Sequence, residues 1–259
     1  MEKFSLKNKT AFITGGAGLI GSEVTKALAD AGAHVVILDV DKEKGARLAE
    51  EIKTSGDKAD YEYFDITQVE EIDRNIEKLV EKYNNAHVWV NTAYPRTEDW
   101  KDSLETLKVD AWQKNVDAHL GGYFFCSRKI AEYMKKQKAG SIINFASIYG
   151  IVGPNFSVYE GTSMTVPAAY SAIKGGIINF TRYLAAYLGK YNVRVNCVSP
   201  GGVYDNQPAE FTQKYNAKTP LGRMADKGDA SGAVVYLASD ASAYVTGHNL
   251  VVDGGWTAV

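Results

Sequence analysis

Tyr170 and Lys174 stand four residues apart in the stretch AAYSAIKGGIINF. On a helix, that spacing puts both side chains on one face. A phenol beside an ammonium is an acid–base device. The positive charge favours the phenolate and draws a tyrosine pKa of about 10 toward neutrality. A phenol so poised gives a proton to a carbonyl oxygen or takes one from an alcohol. Ser147, near a strand end upstream of the tyrosine, adds a hydroxyl to the set.

The turn TGGAGLIG (14–21) points to a second chemistry. Gly15, Gly18 and Gly21 permit a tight turn, close approach of the backbone to a pyrophosphate, and close packing of the next helix. Leu19 and Ile20 open that helix, and its N-terminus then faces the phosphates. The alternative is a tight turn that binds nothing. Asp39, eighteen residues after Gly21, suits the ribose hydroxyls of an adenosine and repels a 2′-phosphate. No Lys or Arg stands at 15–21 or at position 40 to neutralise such a phosphate, so the expected cofactor is NAD. A solvated turn aspartate, followed by Asp41, is the alternative. Asp65 reads equally as an acceptor for the adenine amino group and as a strand-end cap.

These residues sit in an alternating pattern. Apolar strands at 11–14, 34–39, 61–66, 87–93, 141–147, 193–199 and 249–255 are separated by helical runs. Among the helices are an amphipathic one at 69–83, a long one over roughly 110–135, and one around Tyr170. Strands alternating with helices predict an α/β fold, a Rossmann-type doubly wound parallel sheet with helices on both faces. No repeat, linker or low-complexity segment divides the chain, so residues 1–259 read as a single domain. Two stretches, 150–168 and 201–222, do not read as regular elements. Both follow strands at their carboxyl ends, where open α/β sheets bind ligands, which makes them candidate substrate loops.

Composition narrows the function. The chain is 45% hydrophobic and 23% charged, with a net charge of −2, which points to neither nucleic acid nor an anionic membrane as partner. No apolar run approaches a bilayer span, and MEKFSLKNKT is not a signal peptide, so a cytoplasmic protein is expected. Cys126 and Cys197 lie far apart in apolar stretches. They read as buried thiols, and no metal site is expected.

From end to end the chain resembles a short-chain dehydrogenase/reductase. The resemblance rests on TGGAGLIG, Asp39, Asp65-Ile66, Asn91-Thr92-Ala93, Ser147, Tyr170-x-x-x-Lys174, Ser199-Pro200-Gly201 and the ending VTGHNLVVDGGW. It implies a nicotinamide cofactor and carbonyl–alcohol redox chemistry. Ser147 would hold the substrate oxygen and Tyr170 would move the proton. Lys174 would bind the nicotinamide ribose and lower the tyrosine pKa. Ile66, Asn91, Ala93, Pro200 and Gly201 would line the cofactor, and Val203 would offer backbone groups to the carboxamide.

The departures are specific. Leu19 stands where the single-domain branch usually has glycine, and the resulting spacing is similar to that of sugar-nucleotide epimerases. Tyr94 replaces the glycine of the usual NNAG. His119, seven residues after Trp112, occupies the place of an asparagine that in the family helps hold a proton-relaying water. A histidine also donates and accepts, so His119 reads either as a catalytic substitute or as a structural residue. About ten residues are inserted between Ser147 and Tyr170. That insert, with Asn155, Ser157, Tyr159, Glu160, Thr162 and Ser163, suits a polyhydroxylated substrate if it is more than a solvated loop. Arg96 and Lys101 are either solvated or placed to meet a phosphate or carboxylate.

The expected function is therefore an NAD-dependent oxidoreductase acting on a sugar, sugar derivative or polyol. TGGAGLIG and the long insert also resemble bacterial short-chain dehydrogenases of flagellin-glycan and nonulosonic-acid sugar pathways. An extended-type epimerase or dehydratase is one alternative, although only 85 residues follow Lys174. A catalytically weak NAD-sensing protein on the same fold is another. The long helix and the Tyr170 helix carry apolar residues beyond one stripe (Tyr123, Phe124, Phe125, Ile177, Ile178 and Phe180), and the resemblance implies that these two helices pair between subunits, giving a homo-tetramer, with a dimer next.

Overall fold

In the computed structural model, which describes residues 2–259, seven strands form one parallel sheet in the order β3-β2-β1-β4-β5-β6-β7. The strands are β1 (Thr10–Thr14), β2 (His34–Asp39), β3 (Ala59–Tyr63), β4 (Val88–Asn91), β5 (Gly140–Phe145), β6 (Val193–Pro200) and β7 (Asn249–Val252). The expected doubly wound sheet is present. Strand order reverses between β1 and β4, and the carboxyl ends there open onto a crevice.

Alternation along each strand builds two cores. Ala11, Ile13, Val35, Ile37, Val88, Val90 and Ile143 face one side, against α1 (Leu19–Asp30), α2 (Lys42–Thr54) and α8 (Ser231–Ala238). Phe12, Val36, Leu38, Trp89 and Ile142 face the other, against α3 (Ile72–Tyr83), α5 (Gly122–Gln137) and α6 (Ala168–Leu188). Strands buried on both faces read as continuous apolar runs, which is why they stand out in sequence.

Several boundaries differ from the expected ones. β3 ends at Tyr63 and β4 at Asn91, so Asp65, Ile66 and Ala93 lie on loops beyond the strands. The helix expected over 110–135 is two helices, α4 (Val109–Asn115) and α5, joined by a π-helical turn at Val116–Gly121 that carries His119. Such turns insert an extra residue and re-aim side chains. The stretch 201–222 contains a helix, α7 (Ala209–Lys218), whose short apolar stripe is Phe211 and Tyr215. α8 is apolar almost all round and shows no amphipathic period. The 150–168 stretch holds only short 3₁₀ turns, at Ile148–Gly150 and Phe156–Val158. Cys126 and Cys197 are buried free thiols, as expected.

Asn91 is wholly buried inside the sheet. Its carbonyl oxygen accepts from Trp89 Nε1 at 2.8 Å, and its amide donates to Asn144 Oδ1 at 2.8 Å and to Ser127 Oγ at 3.1 Å. Sequence places Asn91 among the residues lining the cofactor, but its side-chain polar groups are not free for that contact. Those polar groups are spent tying β4 to β5 and α5, and a buried amide left without them would be costly.

Candidate active site

A cleft of about 950 Å³ runs along the carboxyl ends of the strands. Gly15, Gly18, Leu19, Ile20 and Gly21 line one wall, with Asp39, Asp65, Ile66 and Ala93 nearby. Pro200, Gly201 and Val203 line the opposite wall, and Ser147, Tyr170 and Lys174 sit between. Of the catalytic and cofactor-binding residues expected from sequence, only Asn91 and His119 do not line it.

The glycine turn is shaped as a cradle. Gly15 has φ +64°, and a side chain there would press within 2.6 Å of the Ala93 backbone. A Cβ on Gly21 would collide with the Gly15 carbonyl. Gly18 caps α1 with no side chain, so the first amides of the helix stay free for an anion. Asp39 fixes this turn to β2: its Oδ2 accepts from Ala17 N at 2.9 Å and its Oδ1 from Asp41 N at 3.0 Å. A carboxylate has about four acceptor sites, so capacity remains for two hydroxyls. Asp65 uses one oxygen to cap Thr67, at 2.9 Å to the amide and 2.8 Å to the hydroxyl, and still lines the cleft. Both of its readings fit one geometry. A nucleotide with a pyrophosphate fits these residues.

Lys174 is almost wholly buried, on α6. Its Nζ donates to the Phe145 carbonyl at 2.8 Å and lies 3.3 Å from His119 Nε2. The rings of Tyr94, Tyr123 and Tyr170 surround it at 5.7–5.8 Å. Burial pulls its pKa down to about 7, and the ring faces oppose that by favouring the cation. The expectation that Lys174 draws Tyr170 toward neutrality is corrected for the protein alone. Burial pushes the Tyr170 phenol up, and the Ser147 hydroxyl beside it works in the other direction. At neutral pH the phenol is therefore in its protonated, donating form.

His119 lies behind Lys174 rather than in the cleft. It is fully buried, with its ring edge-on to Tyr94 at 5.4 Å and Tyr123 at 5.1 Å. Burial holds it well below the usual imidazole pKa, so it is neutral. A ring that accepts from Lys174 at Nε2 carries its proton on Nδ1, and that atom has no partner among the described residues. The ring thus touches the lysine directly.

Sequence reasoning missed the aromatic walls. Tyr63, 65% exposed, lines the cleft beside Asp65. At the other end stand Tyr149, Tyr159, Phe211 and Tyr215. The Tyr149 and Tyr159 hydroxyls are 3.1 Å apart, and Tyr159 packs on Phe211 at 5.1 Å. Together with Ile148, Val158, Met224 and Trp256 they form a third small core roofing the site. Of the insert residues expected to meet substrate, Asn155, Ser157, Glu160, Thr162 and Ser163 do not line the cleft. Asn155 caps the turn at Ser157, and Thr162 bonds back to the Tyr159 carbonyl. Tyr159, also expected there, does line the cleft, together with Met164, Thr165, Val166 and Pro167. Lys101 does not line the cleft, whereas Arg96 does.

The sequence profile described as enoyl-(acyl carrier protein) reductase matches residues 16–257. The chain belongs to the short-chain dehydrogenase/reductase family. It is 35% identical to the post-translational flagellin modification protein A of Campylobacter coli, over 97% of this chain and 99% of that one. The structure of a short-chain dehydrogenase from Leptospira borgpetersenii with bound NAD+ is 34% identical, with a TM-score of 0.86 over 99% of this chain and 96% of that one. A gluconate 5-dehydrogenase from Burkholderia cenocepacia, in complex with NADP and tartrate, is 28% identical, with a TM-score of 0.89 over 99% and 98%. The protein is accordingly a dehydrogenase/reductase that uses a nicotinamide cofactor and acts on a small molecule. No helix among the described residues is long and apolar enough to cross a membrane.

If the His119 ring relays through Lys174, His119→Asn keeps kcat/KM within about tenfold, since asparagine also donates and accepts. His119→Leu strands the buried amine and loses far more. The comparison is made on the fastest alcohol substrate, normalised to folded protein by NADH titration. Equal losses for the two variants would remove His119 from the chemistry.

Proposed function

We propose that this protein is an NAD-dependent oxidoreductase that interconverts a secondary alcohol and a ketone on a sugar, sugar derivative or polyol. The observation that carries the reading is the meeting of Ser147, Tyr170 and Lys174 in one cleft with the glycine cradle. Bound nicotinamide would supply or take up the hydride. Ser147 holds the substrate oxygen, and the Tyr170 hydroxyl gives or takes the proton there. Lys174 holds the nicotinamide ribose with one face of α6. Val203, whose carbonyl is fixed by Gln207 Nε2 at 2.9 Å, presents its backbone to the carboxamide.

Asp39 supports NAD over NADP. Its carboxylate is held at the adenosine end, and the only lysine and arginine lining the cleft among the described residues are Lys174 and Arg96, neither on the turn around Asp39. The aromatic roof supports a ring substrate, because tyrosine faces cover the apolar face of a sugar ring while their hydroxyls reach its edge. The roof is built from the two stretches 150–168 and 201–222, which we take as the substrate loops. The likeness to the flagellin modification protein and the gluconate dehydrogenase supports the same substrate class.

The subunits assemble, in this reading, as a homo-tetramer. The exposed face between α5 and α6 carries Phe124, Phe180, Tyr183 and Tyr187 around a groove of about 290 Å³. Tyr123, Ile177 and Ile178, expected on that face from sequence, belong to the core instead. A monomer by light scattering at micromolar concentration would count against the assembly.

A screen of sugars, polyols and sugar phosphates with NAD and NADP, read at 340 nm, tests the chemistry. NADH binds at least tenfold tighter than NADPH, about 1.4 kcal/mol. Tyr170→Phe lowers kcat by about 10²-fold or more while NADH still binds. Equal dissociation constants for the two cofactors would sink the NAD assignment, and near wild-type turnover in Tyr170→Phe would sink the tyrosine.

A further inference from the structure

Arg96 follows β4 on the loop that carries Tyr94. Its guanidinium lies over the Tyr94 ring at 4.9 Å. It is the only arginine lining the cleft among the described residues, and no carboxylate there lies within ion-pair distance of it. Lys174, the other basic residue of the cleft, is engaged by the Phe145 carbonyl and His119 and, in the proposed reading, by the nicotinamide ribose. Arg96 is therefore the one cation in the cleft free to meet an anion.

The loop around it is fixed on both sides. The Tyr94 hydroxyl accepts from Trp100 Nε1 at 3.0 Å. Thr97 is clamped by Asn115, whose Oδ1 accepts from the Thr97 amide at 3.2 Å and whose Nδ2 donates to its hydroxyl at 2.7 Å. A guanidinium stacked on a ring keeps its planar fork of donors free, the geometry that suits a carboxylate. The same Tyr94 ring stands edge-on to Tyr170 at 5.8 Å. The proton-transferring phenol and the free guanidinium thus flank a single aromatic ring.

We propose that Arg96 is the specificity-determining residue for an acidic substrate: a ring or short polyol that bears a carboxylate in addition to its reacting hydroxyl or carbonyl. This rests on the proposed assignment of Tyr170 as the proton-transferring group. Tyr94 touches both groups, its ring lying under the Arg96 guanidinium and against the Tyr170 ring. The glycine usual at its position has no ring to hold a guanidinium.

The test separates anion recognition from redox chemistry by using ligands that cannot react. Cyclohexanecarboxylate and cyclohexanecarboxamide have the same ring and differ in charge. Each is titrated calorimetrically into the wild-type enzyme–NADH complex and into the Arg96→Gln complex. The wild type is expected to bind the acid at least tenfold tighter than the amide. Arg96→Gln is expected to erase that preference while its NADH dissociation constant stays within about twofold. Equal binding of acid and amide by the wild type, no binding of the acid at millimolar concentration, or an acid preference that survives in Arg96→Gln each overturns the proposal. A parallel loss of NADH affinity also overturns it, because the anion met by Arg96 would then be a cofactor phosphate. The acid preference is read without turnover, so it stands or falls separately from the Tyr170 assignment. Tyr170→Phe should keep the preference intact.

Discussion

Keeping the Lys174 amine out of water is the constraint around which the site is arranged. An amine alone in a protein interior is costly, and the fold meets that cost with one carbonyl, one imidazole and three tyrosine rings. Each comes from a different element: the carbonyl from the end of β5, the imidazole from the π-helical turn, and the rings from the loop after β4, from α5 and from α6. The sheet must therefore be complete before the site exists. The buried Asn91–Asn144 link between β4 and β5 holds the two strands whose ends carry Tyr94 and Phe145.

Around that centre the two ends of the cleft follow different physics. The nucleotide end is backbone, with glycines that leave no side chain in the way, free helix amides and an aspartate that ties the turn to β2. The substrate end is side chain, with Tyr149, Tyr159, Phe211 and Tyr215 packed into a small core of their own above the sheet. Lys214 joins the two substrate stretches by donating to the Glu160 carbonyl at 2.6 Å, so the insert and α7 form one roof. A roof with its own core can change in sequence without disturbing the sheet beneath it.

The nucleotide end was legible in the chain because its determinants are local. A strand, a glycine turn, a helix and an acid at the next strand end are adjacent in sequence, and continuous apolar runs mark strands buried on both faces. Tyr170 and Lys174 were legible for the same reason, through the spacing of one helix. What the sequence hid were relations across space. Asn91 sits in the expected motif, yet its side chain turns into the sheet. Asn155, Ser157 and Thr162 are satisfied locally, and of the residues expected in the insert only Tyr159 faces the cleft, beside Met164 and Val166. The π-helical turn around His119 has no periodic signature, and α8 is too uniformly apolar to show one. The direction of the Tyr170 shift was misjudged because helical spacing shows proximity to a charge but not the depth of burial, which here outweighs it.

The central claim is that burial governs the charge of the Lys174 amine. The direct measurement is a pH titration of the Lys174 13Cε chemical shift in the cofactor-free protein, assigned by its loss in Lys174→Met. Burial disfavours the charged form, so the amine should release its proton near pH 7, far below the ordinary lysine value of about 10.4. A midpoint at or above that ordinary value would show an ammonium fully stabilised in place, and would contradict the account.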